Sequence, residues 1–267
     1  MERPGRGEVR RDPVTIEEPL EIRVDGRSLI VLMRTPGHDL DLAAGLLLTE
    51  GLIRGANEIG TLARCPDPDH PERANVVAAT LAGARPPDWE RLRRTTLANA
   101  ACGLCGRTTI ESVRATVKPL PASHAGQTPV PVAVLAGLPG ALRSRQGAFE
   151  RTGGLHAAGI FDAGGAPLVV REDVGRHNAV DKAIGALCLE GGLPREEETA
   201  ILMVSGRAGF EIVQKAAAAR IPIVAAVSAP STLAVDLAVE LNLTLAAFLR
   251  EGRCNVYSAV ERIGDPA

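Results

Sequence analysis

Aromatic residues are nearly missing from this chain. Four Phe, one Tyr and one Trp make up 2% of it. Its interior must be packed by Leu, Val, Ile and Ala, and an apolar fraction of 45% is enough for such a core. Cysteine is sparse: five in 267 residues, unevenly spaced, which excludes a disulfide framework. A basic excess is also absent. The formal charge of −2 argues against general nucleic-acid binding, which needs a positive field. No apolar run reaches membrane-spanning length, and the charged stretch from Met1 to Asp12 has no apolar signal core. These absences predict a soluble protein of the reducing cytoplasm with no membrane partner. The length suits one large domain or a domain with a smaller companion, and no internal repeat is visible.

What is present begins with a disordered-looking tail, 1–16. Leu20 to Val24 and Ser28 to Met33 alternate as strands around the hairpin signal Asp25-Gly26. Asp39 or Asp41 can cap a helix running to about Glu50, where Gly51 stops it. Strands are expected at 60–64 and 75–81, and Pro119 to Pro131 reads as a linker. A helix follows from Val132 to Arg145, with Pro139-Gly140 as its expected break. Beyond Thr152 a hairpin (157–161 and 168–171) leads into helices at 178–189, 208–219 and 231–241. These alternate with buried strands at 201–204, 221–227 and 243–248, and a last strand spans 255–258. That order predicts a mainly parallel sheet covered on both faces, made mixed by its opening hairpin. Ligands in such sheets sit at the strands' carboxyl ends. Here those ends are Ser205-Gly-Arg207 and Ser228-Ala-Pro230, both leading into helix N-termini that favour anions.

Four segments carry candidate chemistry. In Ala101-Cys-Gly-Leu-Cys-Gly106, Cys102 and Cys105 have the spacing to exchange a bond, share a metal or pass a sulfur atom. A closed zinc site needs four ligands, and no second C-x-x-C exists. A thioredoxin-like pair would follow a strand, which 95–101 does not resemble. A nucleophilic thiolate in a glycine-flanked loop remains, with Arg107 and the arginines at 91, 93 and 94 available to lower a thiol pKa. Arg171-Glu-Asp-Val-Gly-Arg-His-Asn178 is either a solvated turn with Asp173 as a helix cap or a ligand site that includes His177. In Ser205-Gly-Arg-Ala-Gly-Phe-Glu211, a tight turn explains Gly206 but not Arg207, whose guanidinium suits a phosphate. Phe248-Leu-Arg-Glu-Gly-Arg253 places two arginines around a glycine turn, which a surface hairpin tip explains equally well. Cys188 and Cys254 fall in helix and strand patterns and read as core residues.

Taken in order, these segments resemble the FdhD family, the sulfurtransferases required for formate dehydrogenase activity. The resemblance rests on Glu18-Pro-Leu, the helix from Leu42 to Ile53 with Thr49-Glu-Gly, and Cys-Gly-Leu-Cys-Gly106. It rests further on Thr152-Gly-Gly-Leu-His156, Glu172-Asp-Val-Gly-Arg-His177, Ser205-Gly-Arg207, Val227-Ser-Ala-Pro-Ser-Thr-Leu-Ala234 and Gly252-Arg253. It spans about residues 17–263. It implies sulfur taken as a persulfide from a cysteine desulfurase and delivered to the molybdenum of the bis-molybdopterin guanine dinucleotide cofactor, which is bound as substrate. Formate dehydrogenase is then the recipient and the cofactor's guanine nucleotide moiety a further ligand.

By the same resemblance Cys102 is the persulfide cysteine and Cys105 assists it. The cofactor segment falls on Phe248, Leu249, Arg250, Glu251, Gly252 and Arg253. Arg207 and His177 join it as cofactor-binding residues on their own sequence context, and no resident metal is expected. The implied fold is α/β. A cytidine deaminase-like three-layer domain with a mixed sheet occupies 131–267, and a smaller N-terminal α+β region carrying the C-x-x-C loop occupies 17–130. A homodimer is implied as well. Where relatives can have Ser-Ser-Arg, this chain has Gly206.

Two rivals are carried forward. A zinc deaminase needs H-x-E followed by P-C-x-x-C, but His156 is followed by two alanines and the cysteine pair precedes it. A molybdenum-cofactor-binding chaperone that transfers no sulfur would share the anion-binding loops and differ only in the role of the cysteine pair.

Overall fold

The structure is a computed structural model that describes residues 11–65, 75–83, 89, 117–121, 128–195, 198–250 and 252–264. The expected disordered tail falls largely outside these, as do Cys102, Cys105 and the arginines near them.

Strands β1 (Glu18–Val24) and β2 (Arg27–Arg34) form the expected hairpin, with Asp25 at φ 48 and Gly26 at φ 77 in its two-residue turn. Both central positions are left-handed, as a type I′ turn requires, which is why an Asp-Gly pair stands there. With β3 (Ile59–Cys65) and β4 (Val76–Leu81) they make a four-stranded sheet in the order β2-β1-β4-β3. Leu20, Ile22 and Val77 bury one face of it under Leu42, Ala43 and Leu46 of helix α1 (Asp39–Thr49). Capping of α1 differs from expectation. His38, at φ 56, holds the N-cap position, its side chain capping no backbone N–H and lying instead 3.3 Å from Asp41. Asp39 is drawn instead onto buried Arg34 (3.0 Å) and onto Arg64 (3.1 Å). A buried carboxylate gains more from two guanidiniums than from one backbone N–H.

The larger sheet has six strands: β6 (His156–Asp162), β7 (Pro167–Asp173), β8 (Ala200–Val204), β9 (Ile223–Ala226), β10 (Thr244–Arg250) and β11 (Arg253–Ser258). Their spatial order is β11-β10-β9-β8-β6-β7. Only β8-β9 and β9-β10 pair in parallel; β10-β11, β6-β8 and β6-β7 are antiparallel. The sheet is therefore mixed, as expected, but not mainly parallel. Hairpin β6-β7 joins through its first strand, and tight turns reverse the chain at both edges.

Alternate side chains face opposite layers. Ala158, Ile160, Leu202, Val204, Val224, Ala226, Leu245 and Ala247 share a core with α4 (Arg176–Leu189), α5 (Phe210–Ala218) and α6 (Thr232–Glu240). Phe161, Ile201, Met203, Ile223, Ala225 and Leu249 face α2 (Val132–Arg143). Pro139 does not break α2, because buried Leu135, Leu138 and Leu142 hold both of its halves on the sheet. A short α3 (Gly147–Thr152) then leads into β6. Strand β5 (Val130–Pro131) pairs with β12 (Ile263–Gly264), tying the start of this region to its end. Among the described residues no helix is long and apolar enough to cross a membrane.

The two sheets are joined through crossed helices. A Cβ at Gly45 of α1 would overlap the backbone of Asp181, and one at Gly185 of α4 would overlap that of Asp41. Only glycine lets the two backbones come this close. Buried ion pairs flank the crossing. Lys182 meets Asp173 at 2.7 Å and donates to the Thr35 carbonyl, while Lys215 of α5 meets Asp181, which also accepts from Thr49.

Candidate functional site

Several chain segments converge at the carboxyl end of the parallel strands. Strand β8 ends in Ser205-Gly206-Arg207 and β9 in Ser228-Ala229-Pro230. The two turns are hydrogen-bonded to each other, Ala208 N to the Ala229 carbonyl and Ser228 N to the Gly206 carbonyl. Phe248 N donates to the Ser228 carbonyl, which brings the β10-β11 hairpin alongside. Antiparallel β6 starts at this end, so His156 lies beside Gly206. An added Cβ at Gly206 would sit 3.4 Å from its Nδ1. Strand β7 finishes here with Asp173, opposite His156 in register, and α4 starts here with Arg176 and His177.

Each expected residue can now be placed. Phe248 is in the left-handed region at φ 54, within an irregular stretch of β10, and is 41% exposed. Such a conformation is uncommon for a bulky side chain and turns the ring out of the sheet. Leu249 points the other way and is buried under α2. Arg250 folds back, its Nη1 donating to the carbonyls of Val227 (2.7 Å) and Leu249 (2.8 Å). Gly252, at φ 74, makes the hairpin turn that pairs Arg250 with Arg253. Arg207 and Arg253 are exposed. His177 is half-buried, its Nε2 2.7 Å from Glu211 Oε2. Cys102, Cys105 and Glu251 lie outside the described residues. The structure thus brings Arg207 and His177 to the same edge as the Phe248–Arg253 turn.

Asp173 is no helix cap. It is fully buried and accepts from Gly175 N, Thr35 N, the Asn178 amide and Lys182. His156, Arg176 and Glu211 lie inside the sequence motifs, which gave them no role of their own. His156 reaches this edge only because β6 runs antiparallel to β8, a pairing no local pattern reveals. Electrostatics at the edge are set by crowded positive charge. Burial first, then Arg176, His177 and Arg207, lower the His156 pKa against the opposing pull of Asp173. Glu211 is held below the ordinary carboxylate value, chiefly by its hydrogen bond with His177. Cys254 has its thiol pushed up by burial, as Cys188 does in α4. Among the described residues no three His, Cys, Asp or Glu side chains gather as a metal-ligand set.

Fold and edge together define a mixed α/β protein that carries exposed arginines at the carboxyl end of its parallel strands. The chain belongs to the FdhD/NarQ family, whose sequence pattern matches residues 15–264. It is 50% identical over 261 residues to the sulfur carrier protein FdhD of Anaeromyxobacter dehalogenans, covering 95% of this chain and 89% of that one. With the sulfur carrier protein FdhD of Nocardia farcinica it shares 52% identity, covering 96% and 90%. A crystal structure from Desulfotalea psychrophila, assigned as a formate dehydrogenase accessory protein, superimposes with a TM-score of 0.71. Its identity is 26%, over 95% of this chain and 91% of that one.

Proposed function

We propose that this chain is a sulfur carrier that accepts persulfide sulfur from a cysteine desulfurase and hands it to the molybdenum of bis-molybdopterin guanine dinucleotide for formate dehydrogenase. The observation that carries the reading is the convergence of Arg207, His177 and the Phe248–Arg253 turn on one edge, in a chain of this family that also holds the Cys102–Cys105 pair. That edge fits the cofactor's tails by its donor set. Exposed guanidiniums at Arg207 and Arg253 suit pyrophosphates, and the exposed Phe248 ring suits a flat base. We take the cytoplasm as its place of action and a homodimer as its assembly.

The chemistry assigned to the cysteines balances. Cys102 carries the borrowed sulfur as a persulfide. Attack of the Cys105 thiolate on Sγ of Cys102 forms a Cys102–Cys105 disulfide and expels the terminal sulfur as hydrosulfide. The Cys105 sulfur is oxidised from thiolate to disulfide, the Cys102 sulfur exchanges one sulfur–sulfur bond for another, the transferred sulfur is reduced from persulfide to hydrosulfide, and a cellular dithiol resets the pair. We read the region from 131 as the cytidine deaminase-like domain, supported by its edge hairpin β6-β7 and the β8-α5-β9-α6-β10 run. The first sheet with α1 is then the smaller N-terminal domain. Cys102→Ala is expected to abolish formate dehydrogenase maturation and Cys105→Ala to lower it, read as enzyme activity in cells lacking the native carrier. Full maturation with Cys102→Ala would overturn the assignment.

A further inference from the structure

The chain holds only three lysines, and two of them, Lys182 and Lys215, are buried. Both make the same kind of bridge. Lys182 of α4 pairs with Asp173 at 2.7 Å and donates to the Thr35 carbonyl at 2.8 Å. Lys215 of α5 pairs with Asp181 at 2.8 Å and donates to the Thr49 hydroxyl at 3.1 Å. The threonines come from the side of the first sheet, Thr35 from the β2–α1 loop and Thr49 from the end of α1. Each bridge ends close to His177. Asp173 shapes the turn that precedes it, accepting from Gly175 N at 2.8 Å and from the Asn178 amide at 3.0 Å. Thr35 completes that turn: its N–H donates to Asp173 at 3.1 Å, and its hydroxyl accepts from Val174 N at 3.2 Å. Asn178, the residue after His177, also donates to the Met33 carbonyl of β2. On the other side, Lys215 lies one helical turn after Glu211 and acts on its carboxylate, which sits 2.7 Å from His177 Nε2.

We propose that Thr35 and Thr49 are positioning residues for His177: through the two buried lysine bridges, the first sheet and α1 hold both the start of α4 and the carboxylate that His177 meets. It rests on the reading that this edge receives the cofactor. A buried ion pair adds little stability over apolar side chains of the same shape, so what it supplies here is direction. An ammonium has three N–H bonds to give. In each bridge the carboxylate and the threonine oxygen take theirs from different sides, so neither lysine can turn without leaving a buried polar group unmet. The two bridges fix different parts of one residue. The Asp173 turn sets where His177 leaves the backbone, and Glu211 sets where its ring points. Neither threonine needs to touch a ligand for this.

Exchanging each hydroxyl for a methyl group isolates the bonds concerned. Thr35→Val keeps the backbone bonds to Asp173 and Lys182 and removes the acceptor of Val174 N; Thr49→Val removes the hydroxyl that Lys215 and Asp181 share. Two readouts are taken on the full chain, well below each variant's melting temperature: the His177 ring resonances by NMR and the affinity for guanosine diphosphate by calorimetry. Each valine variant is expected to shift the His177 resonances and to weaken guanosine diphosphate about fivefold, the scale on which residues without ligand contact act. Thr35→Ser and Thr49→Ser keep the hydroxyl and should return both readouts to those of the parent chain. Circular dichroism checks folding, and either valine variant decides the matter if the other does not fold. His177 resonances unmoved in the folded valine variants would overturn the positioning role, whatever their melting temperatures do, and leave the bridges as stabilising contacts only. So would serine variants that fail to restore them. Shifted resonances with unchanged affinity uphold the bracing and remove His177 from the cofactor's contacts. A parent chain that binds no guanosine diphosphate removes the reading of the edge, and the resonances then test the bracing by themselves.

Discussion

At the scale of single residues, the buried charges have the largest consequences. Lys215 and Asp181 lie between α1, α4 and α5 with Thr49 bridging them. Burial alone pulls the Lys215 pKa down, but Asp181 and Glu50 outweigh it and hold it raised. Lys215→Met leaves Asp181 buried without its cation and should cost about 3–5 kcal/mol in urea unfolding. Because Lys215 is raised, its contribution is complete below the ordinary lysine value of 10.5 and fades as pH climbs through the higher folded value. Glu211 behaves oppositely. Its depressed pKa gives stability that is complete above 4.5 and fades as pH falls through the lower folded value. Melting temperature should therefore sag at both pH extremes, and Lys215→Met should abolish the alkaline part of the sag. At the edge, Arg253→Ala should weaken guanine-nucleotide binding without shifting the melting temperature. Unchanged affinity would remove Arg253 from the site.

At the scale of elements, the decisive contact is the crossing of α1 and α4 at Gly45 and Gly185. Gly185→Ala drives a methyl group into the Asp41 carbonyl and should destabilise by about 1–3 kcal/mol. Gly137→Ala, on the exposed side of α2 with nothing within 4 Å, should stabilise by about 0.5–1 kcal/mol. Equal effects in chemical denaturation would contradict this account of the crossing. The sequence made the helices and most strands legible, because turns such as Asp25-Gly26 and the cap at Ser231 are local signals. It did not reveal the crossing, since Gly45 and Gly185 lie 140 positions apart and each looks like an ordinary helix defect. Nor did it foresee that Pro139 is carried through α2, because burial of three leucines outweighs the proline penalty. Asp39, expected as a possible cap, and Asp173, for which a cap was one of two readings, spend their carboxylates on cations that arrive from other elements.

At the scale of the whole molecule, the aromatic shortage is met by small side chains. Ala225, Ala226, Ala246 and Ala247 line the middle strands and bring the helical layers close on both faces. The antiparallel flanks of the six-stranded sheet then carry His156 and Arg253 to the edge where the parallel strands end. Arg207 and the Phe248–Arg253 turn were legible as motifs. Their meeting with His156 and Arg176 depends on strand order, which sequence spacing does not encode. The same architecture makes the edge a composite of distant segments. Substitutions there should alter ligand affinity more than stability, while those at the helix crossing should do the reverse.

The central claim is that Cys102 holds a transferable sulfur. Mass spectrometry of the full chain after incubation with a cysteine desulfurase and free cysteine tests it most directly. The account predicts one added sulfur atom on Cys102, removable by a dithiol and absent from Cys102→Ala. A chain that gains no sulfur there, yet still binds the nucleotide and supports formate dehydrogenase maturation, would contradict it and leave a cofactor-carrying chaperone in its place.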